Sequence, residues 1–288
     1  MRPQTLSHAR GALQLNRCLV MGIDNRTPDS FYDGGRMGLE ESVRHALALV
    51  EEGADLLDLG GVKAGPGPLV SEDEETARVV PLVQAVARRT EVPISVETAR
   101  PAVARRAVEA GAAIINDVSA LEDPTLAEVA AETGAALVLM HNGGQIRGRP
   151  RHPRYEDVTA AVLAELRRLE DIAVSAGVAR DCIVYDAGLD FGKNTYHSLE
   201  IVRRTREVVS TGRPYLVAPS RKDVVGETLD VPVEDRLEGT LALVAISAWE
   251  GAAIVRVHDV AGAVRTVRMV EAVKGSVPPV APVRGLWE

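Results

Sequence analysis

Short, continuous apolar runs recur along this chain, each closing on a polar residue and each followed by a longer stretch with helical spacing. The runs are 19–25 (LVMGIDN), 55–61, 93–99, 113–119, 136–142, 182–188 (CIVYDAG), 214–220 and 253–259. The helical stretches are 38–54, 71–89, 101–110, 124–133, 155–176, 195–210, 233–250 and 261–274. Runs that are apolar throughout, instead of alternating, mark strands buried on both faces, as in a parallel sheet covered by helices. Helices often close on one phrase, Gly then Ala, as in EEGAD (51–55), EAGAA (109–113), ETGAA (132–136) and WEGAA (249–253). Glycine accepts the left-handed conformation that stops a helix and lets a strand begin at once. Eight strand–helix units in about 250 residues predict a closed (β/α)8 TIM barrel, a single α/β domain over 19–275. A doubly wound open sheet wants a Gly-rich dinucleotide turn after its first strand, and MGIDNRTPDSFYDGG contains no GxGxxG. Residues 1–18 form a lead-in, either irregular or folded as a short hairpin capping the barrel floor. The proline-rich tail 276–288 lies outside the repeat, as a strap over the barrel or a partner-binding extension.

In a parallel barrel the C-terminal strand ends meet in one mouth, where sites are assembled. The polar residues at those ends are Asn25, Asp58, Glu97, Asn116 with Asp117, His141 with Asn142, Asp186, Ser220-Arg221-Lys222, and Arg256 with His258, all expected to face that mouth. One polar residue leaving a strand is commonly a helix cap; eight ends of eight form a pattern. The mouth divides chemically. Acids and amides on strands 3, 4 and 6 accept hydrogen bonds from a neutral, donor-rich heterocycle, whereas Lys222, Arg256 and His258 suit an anion such as phosphate or diphosphate. Together they imply a heterocycle carrying a phosphorylated arm.

Composition narrows the partners. A hydrophobic fraction of 46%, 26% charged residues and a net charge of −8 describe a soluble globule for which nucleic acid is an unfavourable partner. Aromatics make up 3%, too few for a base-stacking surface. Cys18 and Cys182 have no metal-ligand spacing, the N-terminus lacks a signal-peptide core, and no apolar run reaches membrane length. The expectation is a cytoplasmic protein without structural disulfides or membrane contact.

MGIDNRTPDSFYDGG, DLLDLGG, IINDVS, LMH, DAGLDFGK, SRK and RVHDV stand in the order and at the strand positions that resemble dihydropteroate synthase, a pterin-binding barrel enzyme of folate biosynthesis. The resemblance spans residues 19–260. It implies a transferase that condenses (7,8-dihydropterin-6-yl)methyl diphosphate with 4-aminobenzoate and releases diphosphate. By the same resemblance Asp186, Asn116 and Glu97 hold the pterin, with Met140, Phe191, Gly192 and Lys222 around it. Asn25, Arg256 and His258 anchor the diphosphate, with Mg2+ as cofactor and Asn25 as its contact. Asn25, Lys222, Arg256 and His258 thus carry catalysis. Asp33, Lys63, Ser220 and Arg221 stand where the family closes over its second substrate, and the family implies a homodimer built from helices of the second half of the barrel.

Three departures accompany the resemblance. The family's Ser-Thr-Arg after strand 2 is replaced in Gly61-Val62-Lys63-Ala64-Gly65-Pro66-Gly67, Glu97 stands for a shorter aspartate, and Ala187 for a proline. These features resemble a second, paralogous branch of the family, and the alternative readings are a pterin-binding paralogue with little synthase activity or another nucleophile, and a pterin-dependent methyltransferase.

Overall fold

The computed structural model describes residues 4–24, 36–62, 70–144 and 152–284. Strands β1 (Gln4–His8) and β2 (Gly11–Leu15) pair as an antiparallel hairpin, so the hairpin alternative for the lead-in holds. The barrel strands are β3 (Leu19–Asp24), β4 (Leu56–Gly60), β5 (Ile94–Glu97), β6 (Ile114–Asp117), β7 (Ala136–Met140), β8 (Ile183–Asp186), β9 (Tyr215–Val217) and β10 (Ile254–Val257). They close in the order β10-β3-β4-β5-β6-β7-β8-β9, every neighbour parallel. The surrounding helices are α1 (Arg36–Glu51), α2 (Glu72–Ala87), α3 (Pro101–Ala110), α4 (Thr125–Thr133), α5 (Val158–Ser175), α6 (Thr195–Arg203), α7 (Thr205–Val209), α8 (Asp223–Leu229), α9 (Leu237–Glu250) and α10 (Val260–Lys274).

The strand period of two sorts the apolar runs into two cores. Val20, Leu57, Ile115, Leu137, Ile183, Val217 and Val255 face outward and pack with the helices. Leu19, Met21, Leu56, Ile114, Val138, Val184, Leu216 and Ile254 face inward and fill the barrel, with Leu6 of the hairpin joining them. A side chain of this kind stabilises the fold by about 1.5–3 kcal/mol when fully buried, and Leu6, wholly buried, seals the end away from the mouth. Two residues further along the strands the same inward positions are Asp58, Asn116, Met140, Asp186 and Arg256. The site is therefore the next layer of the barrel interior, and the alternation that builds the core also aims the polar side chains.

Two stretches differ from the sequence expectation. The helix expected over 195–210 breaks at Arg204 into α6 and α7. There the Thr205 hydroxyl donates to the Val202 carbonyl at 2.9 Å, competing for a helical acceptor, and the Arg204 side chain pairs with Asp157, Glu200 and Glu207. The helix expected over 233–250 begins only at Leu237, after a 3-10 turn, while α8 was not anticipated. Its segment carries Gly226, a poor helix former, yet a Cβ there would lie 2.3 Å from the Arg236 guanidinium. The glycine is kept for tertiary packing that local propensity does not report. In the tail, Val280 and Val283 are exposed.

Candidate active site

Strand alternation splits the pairs that the sequence left together. Asn116 faces the barrel interior, but Asp117, one residue on, turns outward and caps its own loop, accepting from the backbone N–H of Ser119 at 2.7 Å and of Leu121 at 2.6 Å. Burial raises the Asp117 pKa. His141, also expected in the mouth, is instead buried beneath the loop that follows β8.

That loop, DAGLDFGK, is tied down by a residue to which the sequence assigned no role. Lys193 is buried, and its Nζ donates to the carbonyls of His141 (3.2 Å), Gly188 (2.9 Å) and Phe191 (2.8 Å) and meets His141 Nδ1 at 2.7 Å. Burial lowers the Lys193 pKa and the Asp186 carboxylate opposes it. The ring acts as acceptor, since burial and the Lys193 charge lower the His141 pKa to about 4. The readable signal was a lysine directly after Gly192 in a strand-end loop. Backbone crosses backbone here: a Cβ at Gly188, whose φ is 63°, would stand 2.1 Å from the His141 carbonyl oxygen.

The loop shapes the acceptor side of the mouth. Asp186 Oδ1 accepts from the Gly188 N–H at 2.7 Å, and among the described residues its Oδ2 has no hydrogen-bond partner. Burial raises the Asp186 pKa, with the charges of Lys222, Arg256 and Lys193 opposing it. Lys222 Nζ donates to the Leu189 carbonyl at 2.7 Å and lies 4.9 Å from the centre of the Phe191 ring. Burial lowers its pKa and Asp186 opposes this. Met140 is buried on the inward face of β7, and the Gly192 carbonyl accepts from the Tyr155 hydroxyl at 2.8 Å.

The cationic side is arranged differently from the two separate halves expected. Arg256 reaches into the acids: its Nε donates to Asp58 Oδ2 at 2.7 Å and its Nη2 to Glu97 Oε2. Asn116 Nδ2 donates to the same Asp58 oxygen at 3.1 Å. Asp58 is thus a site residue that the strand-end pattern contained but the resemblance did not select. His258 Nδ1 lies 2.8 Å from Ser220 Oγ. Burial, Arg256 and Arg221 lower the His258 pKa to about 4, so the imidazole is neutral at neutral pH. Arg221 has a φ of 53°, costly for a residue with a Cβ, and pairs with Asp259 at 3.0 Å instead of turning to the mouth.

Asn25, Asp33 and Lys63 lie outside the described residues. Among the described residues no group of three or more His, Cys, Asp or Glu could hold a metal ion. A magnesium site needs an oxygen-rich octahedral shell; near His258 the carboxylate of Asp259 is engaged by Arg221, so the described residues do not themselves make one. No helix of the described residues is long and apolar enough to cross a membrane.

The pterin binding enzyme family matches residues 21–258. The Mycobacterium leprae (strain TN) protein named inactive dihydropteroate synthase 2 is 47% identical over 278 residues, covering 94% of this chain and 96% of that one. The dihydropteroate synthase of Escherichia coli (strain K12) is 42% identical over 267 residues, covering 91% of this chain and 93% of its own. The solved dihydropteroate synthase of Xanthomonas albilineans with 4-aminobenzoic acid superposes with a TM-score of 0.88 at 39% identity, covering 96% of this chain and all of that one.

Proposed function

The chain belongs to the pterin-binding enzyme family, and we propose from that premise that it is a dihydropteroate synthase-like transferase. Its substrates are a dihydropterin bearing a methyl diphosphate arm and an arylamine of the 4-aminobenzoate type. The observation that carries this reading is Oδ2 of buried Asp186, which has no partner among the described residues and is an acceptor within electrostatic reach of Lys222 and Arg256. A pterin edge rich in N–H donors satisfies that oxygen and the amide oxygen of Asn116. The cations of the same mouth meet the diphosphate.

The chemistry asks for electrostatics more than for a nucleophilic side chain. As the C–O bond to diphosphate breaks, diphosphate leaves with the electron pair and the conjugated ring nitrogen spreads the positive charge on the exocyclic carbon. The amine nitrogen then forms the C–N bond and gives up its proton to solvent. Asp186 and Glu97 favour the electron-poor ring, and Lys222, Arg256 and the neutral His258 favour the departing anion. Magnesium enters this reading only as a companion of the diphosphate, with Asn25 as its protein contact.

A second reading is favoured by the sequence 61–67, where the family's arginine is absent and Lys63, displaced from its place by two residues, supplies a point charge without the two-pronged fork, and by the name of the M. leprae relative. On that basis pterin binding is retained and turnover with 4-aminobenzoate is slow. Calorimetry with a reduced pterin, together with diphosphate release from dihydropterin diphosphate with and without 4-aminobenzoate, tests both parts. Binding with at most a tenth of the release rate of the E. coli enzyme is the expected result. Absence of pterin binding would overturn the site, and release at the E. coli rate would overturn the expected effect of the loop.

A homodimer through the second half of the barrel is supported by an apolar face on α9 and α10, where Trp249 (46%) and Met269 (64%) are exposed along with Ile246 and Val273. Leu241, Ala245 and Gly262 line a groove between these helices. Sedimentation equilibrium should give a dimer that Met269→Glu dissociates, whereas a monomer at all concentrations would remove the proposal. Two free, buried cysteines accord with a reducing, cytoplasmic setting.

A further inference from the structure

Asp58 is fully buried, yet it touches two residues expected to meet the substrate. A carboxylate only accepts hydrogen bonds, so the Asn116 amide can face it with its NH2 group alone. That bond, at 3.1 Å, leaves the Asn116 carbonyl oxygen as the atom offered to the mouth. The same Asp58 oxygen holds Arg256 Nε at 2.7 Å while Glu97 holds Nη2, which fixes the guanidinium plane and leaves Nη1 without a protein acceptor among the described residues. Among the described residues Asp58 Oδ1 has no donor. A buried carboxylate with one oxygen doubly engaged and the other unpaired among the described residues is a costly arrangement for stability alone, since a buried acceptor without a donor loses its hydration uncompensated.

We propose that Asp58 is a positioning residue that sets the donor and acceptor pattern of the mouth before substrate arrives: Asn116 as acceptor, Arg256 as donor. The inference rests on the reading of the mouth as a pterin site. Preorganisation of this kind strengthens binding because neither group has to be reoriented or stripped of an alternative partner when the ligand enters.

The test compares two ligands in calorimetry: a reduced pterin, whose 2-amino group donates, and the matching pteridine-2,4-dione, which presents a carbonyl oxygen there. Asp58→Asn is nearly isosteric but offers Asn116 an amide instead of an obligate acceptor, so the Asn116 amide is free to turn over. Pterin affinity should fall roughly thirtyfold and the preference for pterin over the dione should narrow about tenfold. The exchange Asp58→Asn with Asn116→Asp restores a donor facing an acceptor between the two positions, and should recover most of the pterin affinity. Equal weakening of both ligands, or a double variant no better than the single one, would overturn the proposal and leave the pterin site standing. A wild-type chain that binds neither ligand would instead overturn the reading of the site. Should Asp58→Asn fail to fold by thermal melting, Asp58→Ser gives the same ligand comparison, with the same narrowing expected and an unchanged ratio overturning the role.

Discussion

Asp186→Asn should lower the affinity for a reduced pterin roughly a hundredfold while leaving the melting behaviour close to wild type. Asp186 Oδ1 is committed to the Gly188 N–H at 2.7 Å, and an asparagine must keep its single carbonyl oxygen there to satisfy that buried donor. Its NH2 group then occupies the place of Oδ2, the atom proposed to accept from the pterin edge. Donor faces donor, and the loss of a charged hydrogen bond plus the unpaired ligand donors amounts to about 3 kcal/mol, which is the hundredfold. Folding loses little, because the Gly188 bond survives and a neutral side chain is easier to bury than the carboxylate. The pH dependence separates this from misfolding. Burial raises the Asp186 pKa, so wild-type binding is complete above that value and is lost as pH falls through it, at a higher pH than for an exposed aspartate; Asp186→Asn should show no such step. Calorimetric affinity unchanged in the variant would remove Asp186 from the site.

The barrel and the polar layer at its mouth are legible in the sequence because both follow from one periodicity. Leu56 and Asp58, Ile114 and Asn116, Val184 and Asp186, Ile254 and Arg256 are each two residues apart, one in the core layer and one in the site layer. The same rule, applied strictly, would have turned Asp117 away from the mouth. What stayed hidden was pairing across the barrel. Arg256 is far in sequence from Asp58 and Glu97, and a list of strand ends sorts them by charge into separate halves, whereas opposite charges at one level of a narrow, low-dielectric interior are drawn together. Lys193 was legible only as a lysine in a strand-end loop: three of its partners are carbonyl oxygens, which every residue carries, and its contact with the His141 ring depends on the fold. The break at Arg204 and the short helix α8 depend likewise on one hydroxyl and one guanidinium in three dimensions.

Gly188→Ala should cost more than any other single-methyl addition to this loop, about 3 kcal/mol or more in a urea melt, and should abolish measurable pterin binding. Two terms add. Alanine at a φ of 63° pays roughly 1–2 kcal/mol for the left-handed conformation. Its Cβ would also sit 2.1 Å from the His141 carbonyl oxygen, a backbone atom that cannot rotate aside, so the loop has to lift. Lifting breaks what the loop organises: the Gly188 N–H leaves Asp186, the Gly188 carbonyl leaves Lys193, and the Leu189 carbonyl moves away from Lys222. Gly134→Ala separates the two terms. Gly134 has a φ of 68°, but nothing lies within 4 Å of a Cβ there, so that variant carries the conformational cost alone, the same roughly 1–2 kcal/mol, and should bind pterin like wild type. If both alanines destabilise equally and both bind pterin, the contact between the loops after β7 and β8 does not shape the site. A larger loss confined to Gly188→Ala, in stability and in pterin affinity together, is the outcome the close backbone approach requires.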